Sequence, residues 1–269
     1  RKMLTENDPA GAIKTLSDFG LLYDVFKLPE GYCEWNLNQQ TPHHELTVLE
    51  HSIEVLKNLN VILNKAGVQG DNKFVACCAG LLHDLGKLNP ACHGYKIKNG
   101  EQRRTYYGHE EHSIKAAEHV LLNLPGVKTK EIQRVKLLID AARRTNPNHT
   151  PSNEKCNLTR KALGKFARLT GDDWKLAVYV GLADATAKKK NALETFDITY
   201  YADLIEKLSE IGTWARELKP LLDGNEIMEI TKKNGPDIGK ITKRLIEFQL
   251  SRPNITKKEA VGYVKSFKL

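Results

Sequence analysis

Phe74-Val-Ala-Cys-Cys-Ala-Gly-Leu-Leu-His-Asp-Leu-Gly-Lys87 opens with nine uncharged residues and closes on an imidazole, a carboxylate and an ammonium. An apolar run of that length without alternation reads as a buried helix, and its polar end as the place where the helix meets a site. Gly86 lets the chain turn away, and Lys87 sets a cation near an anionic ligand. Outward from this stretch the pattern stays helical. Asp8-Pro9 is an N-cap followed by proline at the first helical position, and Gly20 ends that run. From Glu45 to Ala66, Leu46, Leu49, Ile53, Leu56 and Leu59 recur at three- and four-residue steps, and Gly67 closes the helix. The same spacing predicts helices over 71–84, 110–122, 130–143, 159–170, 173–190 and 199–219. Thr256-Lys-Lys-Glu259 is a capping box before the last helix. No stretch shows convincing period-two alternation, so the expected fold is an all-α bundle. Two long connections, 27–44 and 88–109, interrupt it; long loops in a helical domain tend to carry function.

Among the 269 residues, 41% are hydrophobic and 28% charged, a mix that can bury a core and excludes wholesale disorder. No apolar run reaches the roughly 18 residues of a membrane span, and no signal-peptide pattern is present. The chain opens at Arg1 rather than Met, as a piece of a longer protein would. Five cysteines at irregular spacing argue against a disulfide framework and for a reducing, cytoplasmic setting. Cys77 and Cys78 read as small core residues, and Cys78 is no nucleophile for His83, since an apolar helix raises a thiol pKa.

Charge is uneven. Residues 1–127 carry a net −2, 128–190 a net +9, 191–214 a net −4 and 215–269 a net +5. Two basic blocks suit a polyanion partner, because lysine and arginine displace counterions from a phosphate backbone. Arg143, Arg144, Lys188, Lys189, Lys190, Lys240, Lys243 and Arg244 are the candidate RNA contacts. Lys155, Arg160, Lys161, Lys165 and Arg168 thicken the first block, and Trp174 and Tyr179 add aromatic options. The lysine run 188–190 reads equally well as a favourable charge cluster at a helix C-terminus.

His83 and Asp84 suit a borderline or hard divalent ion such as Mn, Ni, Mg, Fe or Zn. His51 on the preceding amphipathic helix, His109 at a helix start and Asp184 inside the apolar run 176–183 supply further ligands. An aspartate in such a run is costly to bury unless something pairs with it. Cys92, His93, His109 and His112 lack the second cysteine pair of a zinc knot. His43 and His44 read as loop residues that could extend the site.

The order His51, His83-Asp84, Asp184, with Leu-Leu-His-Asp-Leu-Gly-Lys, resembles the HD superfamily of metal-dependent phosphohydrolases. The flanks are similar to the body of bacterial-type CCA-adding tRNA nucleotidyltransferases. They are Met3-Leu-Thr, Pro9-Ala-Gly-Ala-Ile-Lys-Thr-Leu16, Gln40-Thr-Pro-His-His44, Leu222-Asp-Gly-Asn-Glu-Ile-Met228 and Gly235-Pro-Asp-Ile-Gly239. The resemblance implies an N-terminal helical segment (1–44), an HD domain (45–214) and a basic, tRNA-binding helical tail (215–269). It implies His51, His83, Asp84 and Asp184 as metal ligands, with Asp84, Lys87 and His109 as the catalytic set. Lys87 would neutralise a substrate phosphate, and His109 would bind a second ion or the phosphate. Phosphomonoesters and 2′,3′-cyclic phosphates are the implied substrates, attacked in line by water that the ion acidifies.

Two-metal members often carry a histidine where this chain has Ala142, so one ion is expected, unless His149 substitutes. No Asp-x-Asp pair marks a nucleotidyltransferase head, so this chain alone is not expected to add nucleotides. Two other readings stay open: an RNA-binding scaffold with a vestigial site, and a stand-alone nucleotide phosphohydrolase.

Overall fold

The computed structural model describes residues 1–39, 46–98, 100–145, 156–188, 193 and 197–267. The helices are α1 (Lys2–Thr5), α2 (Pro9–Asp18), α3 (Leu22–Val25), α4 (Val48–Lys65), α5 (Gly70–Leu82), α6 (His109–Leu122), α7 (Thr129–Ala142), α8 (Arg160–Thr170), α9 (Trp174–Thr186), α10 (Thr199–Glu217), α11 (Gly224–Thr231), α12 (Pro236–Ser251) and α13 (Lys257–Lys265). The architecture is mainly helical, as the spacing predicts. Two compact units divide it: Arg1–Asn153 with Asp172–Tyr201, and Glu154–Gly171 with Ala202–Leu269.

In the first unit α4 packs on α5 and α9, and α5 on α7. The stripe Leu49, Val55, Leu56, Leu59 and Leu63 of α4 is buried, each side chain contributing about 1.5–3 kcal/mol. Gly80 permits the close crossing of α5 on α4: a Cβ there would lie 3.0 Å from Leu59 Cδ2. Helix α4 begins at Val48 rather than at Glu45, because Thr47 and Glu50 close a capping box. The Asp8 cap and the Thr256–Glu259 capping box form as the sequence predicts.

The stretch 88–109 differs from expectation. It folds as a short 3-10 turn (Pro90–Cys92) followed by an antiparallel hairpin of β1 (His93–Lys98) and β2 (Glu101–Tyr106). The register pairs His93 with Tyr106, Tyr95 with Arg104 and Lys98 with Glu101. Gly100 has φ +79°, the left-handed value a two-residue turn demands and the reason Asn-Gly favours hairpins.

In the second unit Leu222, Ile227, Ile241, Leu245, Ala260 and Val264 form the core that joins α11, α12 and α13. Helix α8 lies against α12, where Gly164 leaves room for Leu250: a Cβ at 164 would sit 2.6 Å from its Cδ2.

Candidate metal centre

The segment Leu81–Lys87 is bent into place by one close approach. After α5 ends at Leu82, His83 keeps helical angles and Leu85–Leu88 tighten into a 3-10 turn. That turn lies against the start of α6 so closely that a Cβ on Gly86 would sit 1.9 Å from the His109 carbonyl oxygen. Gly86 N–H donates to Ser113 Oγ at 2.8 Å. Gly86 is therefore required by proximity to α6 rather than by a left-handed turn, and the contact brings His109 beside Asp84. Gly181 does the same for α9: a Cβ there would strike Thr145 Oγ1.

His51, His83 and Asp184 converge from α4, the end of α5 and α9, and Asp84 lies beside the two histidines. His51 Nε2 lies 3.1 Å from Asp184 Oδ1 and 3.3 Å from His83 Nε2. Asp84 Oδ2 is 3.5 Å from His51 Nε2 and 3.4 Å from His83 Nε2, and His83 Nε2 is 3.4 Å from Asp184 Oδ1. His109 Nε2 stands 3.7 Å from Asp84 Oδ1. Side-chain exposure rises from 0% at His51 through 7% at Asp84 to 25% at Asp184 and 22% at His109. The cluster is closed behind His51 and open on the Asp184 and His109 side.

The tautomers are fixed by backbone carbonyls, which can only accept. His51 Nδ1 donates to Ala187 O at 3.3 Å, His83 Nδ1 to Gly80 O at 2.9 Å and His109 Nδ1 to Tyr106 O at 2.8 Å. All three rings therefore turn Nε2 toward the carboxylates, the arrangement that orients histidines for a cation. Two imidazoles and two carboxylates fit a divalent ion, and one ligand atom from each of His51, His83 and Asp184 lies within 4.8 Å of the others.

Electrostatics agree. Burial by itself opposes a charged His83, but Asp84 and Asp184 outweigh it and raise the pKa to about 9. Burial likewise opposes ionisation of Asp84, yet Lys87, His83, His51 and His109 hold its carboxyl well below the usual carboxylate range. Burial opposes ionisation of Asp184 as well, yet its bonds to His51 and His83 hold its carboxyl well below the usual range. The two carboxylates stay ionised and draw positive charge, as a cation site must.

Lys87 is buried, with Nζ on Asp84 Oδ2 at 2.7 Å and on Gln39 Oε1 at 2.9 Å. Gln39, fully buried, is a residue the sequence did not single out; nothing in a lone glutamine of a long connection marks it. Tyr106 and Ser113 were also missed. At the end of α7, Ala142 is buried and offers no ligand atom. Cys77 and Cys78 are core residues as expected, the Cys77 thiol being pushed up to about 12 by burial.

Arg143 and Arg144 both bind Asp140, at 2.8 and 2.9 Å. Lys188 is half-buried. Lys240 pairs with Asp237, Lys243 is exposed, and Arg244 lies over the Phe267 ring at 5.2 Å. Arg168 donates to the Ala215 and Leu218 carbonyls at the end of α10, and Lys161 and Lys165 pair with Glu247. Trp174 is buried in the core. His43, His44, His149, Lys155, Lys189 and Lys190 lie outside the described residues. Among the described residues no helix is long and apolar enough to cross a membrane.

The family model described as HD domain matches residues 48–188, which contain His51, His83, Asp84, His109 and Asp184. The chain is similar to the mitochondrial CCA tRNA nucleotidyltransferases of Candida glabrata (27% identical over 119 residues, 41% of this chain) and Saccharomyces cerevisiae (28% over 122 residues, 42% of this chain). These matches cover 22% of each yeast protein. The CC-adding tRNA nucleotidyltransferase of Thermus thermophilus is 27% identical over 264 residues, 98% of this chain and 54% of that protein. The chain thus spans about half the length of the Thermus relative. No solved structure matches the chain significantly. With its model covering more than half of the residues and the whole ligand cluster, the chain belongs to the HD domain family.

Proposed function

We propose that this chain binds tRNA and hydrolyses phosphomonoesters or 2′,3′-cyclic phosphates, with a divalent ion held by His51, His83, Asp84 and Asp184. The observation that carries the reading is the common orientation of the three histidines. Each commits Nδ1 to a backbone carbonyl and turns Nε2 to the carboxylates. When bound, the ion supplies Lewis-acid polarisation of a phosphoryl oxygen and acidifies water.

The chain's own groups supply the rest. Asp84 and Asp184 remain ionised to hold the charge of the site. Lys87, expected to neutralise a substrate phosphate, is buried and engaged by Asp84 and Gln39, and acts instead as a positioning residue that locks Asp84. His109, its Nδ1–H held by the Tyr106 carbonyl, turns Nε2 to the open side; in its doubly protonated form Nε2–H donates to a phosphoryl oxygen or gives its proton to the ribose alkoxide released as the phosphorus–oxygen bond breaks. Similarity to tRNA nucleotidyltransferases and the two basic blocks support tRNA as the macromolecular partner.

The test is metal content and hydrolysis of 2′,3′-cyclic AMP by wild type and Asp84→Ala. Metal-dependent turnover in wild type alone supports the reading. A metal-free wild type as inert as the variant sinks it, and tRNA binding without turnover would leave a scaffold.

A further inference from the structure

We propose that Tyr106 is a positioning residue for the metal centre: its hydroxyl acts through Gln39 and Lys87 to hold the Asp84 carboxylate where it meets the two histidines. This rests on the cation-dependent, hydrolytic reading of the site, and it gives the β1–β2 hairpin a task in that site.

An unbroken chain of bonds joins the two ends. Tyr106 OH donates to the Gln39 carbonyl at 3.0 Å. The Gln39 amide then bridges two elements: its Nε2 donates to the Leu46 carbonyl at 3.1 Å, just before α4, and its Oε1 accepts from Lys87 Nζ at 2.9 Å. A carbonyl can only accept, so Leu46 takes the amide nitrogen and leaves the amide oxygen to Lys87. Lys87 Nζ donates to Asp84 Oδ2 at 2.7 Å, and that oxygen lies 3.5 Å from His51 Nε2 and 3.4 Å from His83 Nε2. Lys87 is buried, and an ammonium away from water depends on each oxygen it reaches. Displacing Gln39 therefore loosens Lys87, and a loosened Lys87 frees Asp84.

The Tyr106 ring is fixed on this line from several sides. It stands edge-on to His93 at 5.4 Å and to His109 at 6.4 Å, and Lys87 Nζ lies 5.9 Å from its centroid. His93 Nε2 donates to the Lys87 carbonyl at 2.8 Å, which fastens β1 to the same turn. Arg104 bonds to the Tyr106 hydroxyl from the hairpin and donates to the Asn38 carbonyl at 3.1 Å, next to Gln39. Burial raises the Tyr106 pKa against the pull of Arg104, so the hydroxyl remains a donor at neutral pH. Bonds of this outer kind set ligand orientation, and their loss lowers metal affinity without removing a ligand.

The experiment uses the full chain, stripped of metal, and reads Mn²⁺ affinity by calorimetry in wild type, Tyr106→Phe, Gln39→Leu and the double variant. Phenylalanine keeps the ring and the backbone carbonyl that holds His109 Nδ1, so the hydroxyl alone is lost. Each single variant is expected to weaken Mn²⁺ binding roughly 10-fold. The double variant should be no weaker than Gln39→Leu, because without the amide at 39 the loss of the hydroxyl has no route to Lys87. Wild-type affinity in Tyr106→Phe overturns the proposal. A double variant weakened by the product of the two single effects also overturns it, since the hydroxyl would then fasten the hairpin without acting through Gln39. Turnover of 2′,3′-cyclic AMP separates this proposal from the reading it rests on. A wild type that binds Mn²⁺ but cleaves nothing removes the hydrolytic reading, and the affinity comparison still decides the role of Tyr106. A folded wild type that takes up no Mn²⁺ overturns both.

Discussion

His51 Nε2 lies 3.1 Å from Asp184 Oδ1 although 133 residues separate them. A second buried bond maintains that approach. Asn58 Nδ2, two turns further along α4, donates to Thr186 Oγ1 of α9 at 3.1 Å. Thr186 Oγ1 in turn donates back to the Leu182 and Ala183 carbonyls. The polar pair therefore sets the spacing of α4 and α9 where the ligands face one another.

Asn58→Ala leaves the Thr186 hydroxyl without its cross-helix donor. The expected cost is about 1–3 kcal/mol of stability, together with weaker divalent-ion binding because His51 and Asp184 lose their fixed separation. Urea denaturation and calorimetric titration with Mn²⁺ read the two effects; an unchanged midpoint and affinity contradict the account of this bond.

Gly86→Ala forces a Cβ into the His109 carbonyl. Overpacking of this kind costs about 1–3 kcal/mol, and relief by retreat of α6 carries His109 away from Asp84. Thermal unfolding should fall and hydrolysis should drop even where the chain remains folded. A variant with wild-type melting and activity would show that the turn and α6 do not meet as described.

The sequence made the helices legible because their ends are chemically marked, by Asp8, Thr256 with Glu259, and Gly67. The ligands were legible because a histidine and an aspartate at the end of an apolar helix have no packing reason to be there. Three things were not. The hairpin is marked only weakly, by the Asn99-Gly100 turn signal and the short alternation Tyr95-Lys96-Ile97-Lys98, because its partner strand 101–106 is polar along most of its length and supplies no matching apolar face. The role of Gly86 depends on α6, more than twenty residues away, and no local pattern reports such an approach. The carbonyl partners of the three histidines, and the hold of Gln39 on Lys87, are backbone and long-range geometry that composition does not encode.

Burial pushes the Cys77 thiol up to about 12 and raises Cys78 as well. Thiolate is the reactive form, so neither should alkylate in the native chain at neutral pH. Cys33, half-buried, should be labelled first by iodoacetamide. Peptide mass spectrometry checks the order; native labelling of Cys77 ahead of Cys33 would contradict the packing of α5.

Asp140 holds both Arg143 and Arg144. Burial opposes its ionisation, but the two guanidinium bonds prevail and lower its pKa. Because the folded value is depressed, the stabilisation is fully present above the unfolded value of about 3.9 and is lost as pH falls through the folded one. At neutral pH, Asp140→Asn releases both arginines from that carboxylate. RNA binding should tighten and its salt slope steepen by roughly 1 per arginine that gains a phosphate. An unchanged slope in filter binding would remove this pair from the RNA surface.

Calorimetric titration of the metal-stripped chain with Mn²⁺ asks directly whether the convergence of His51, His83, Asp84 and Asp184 is a cation site. Wild type should take up roughly one ion per chain, and Asp184→Ala should lose that uptake while retaining its helical circular dichroism. Uptake by Asp184→Ala equal to wild type, or none by a folded wild type, would contradict the site at its root.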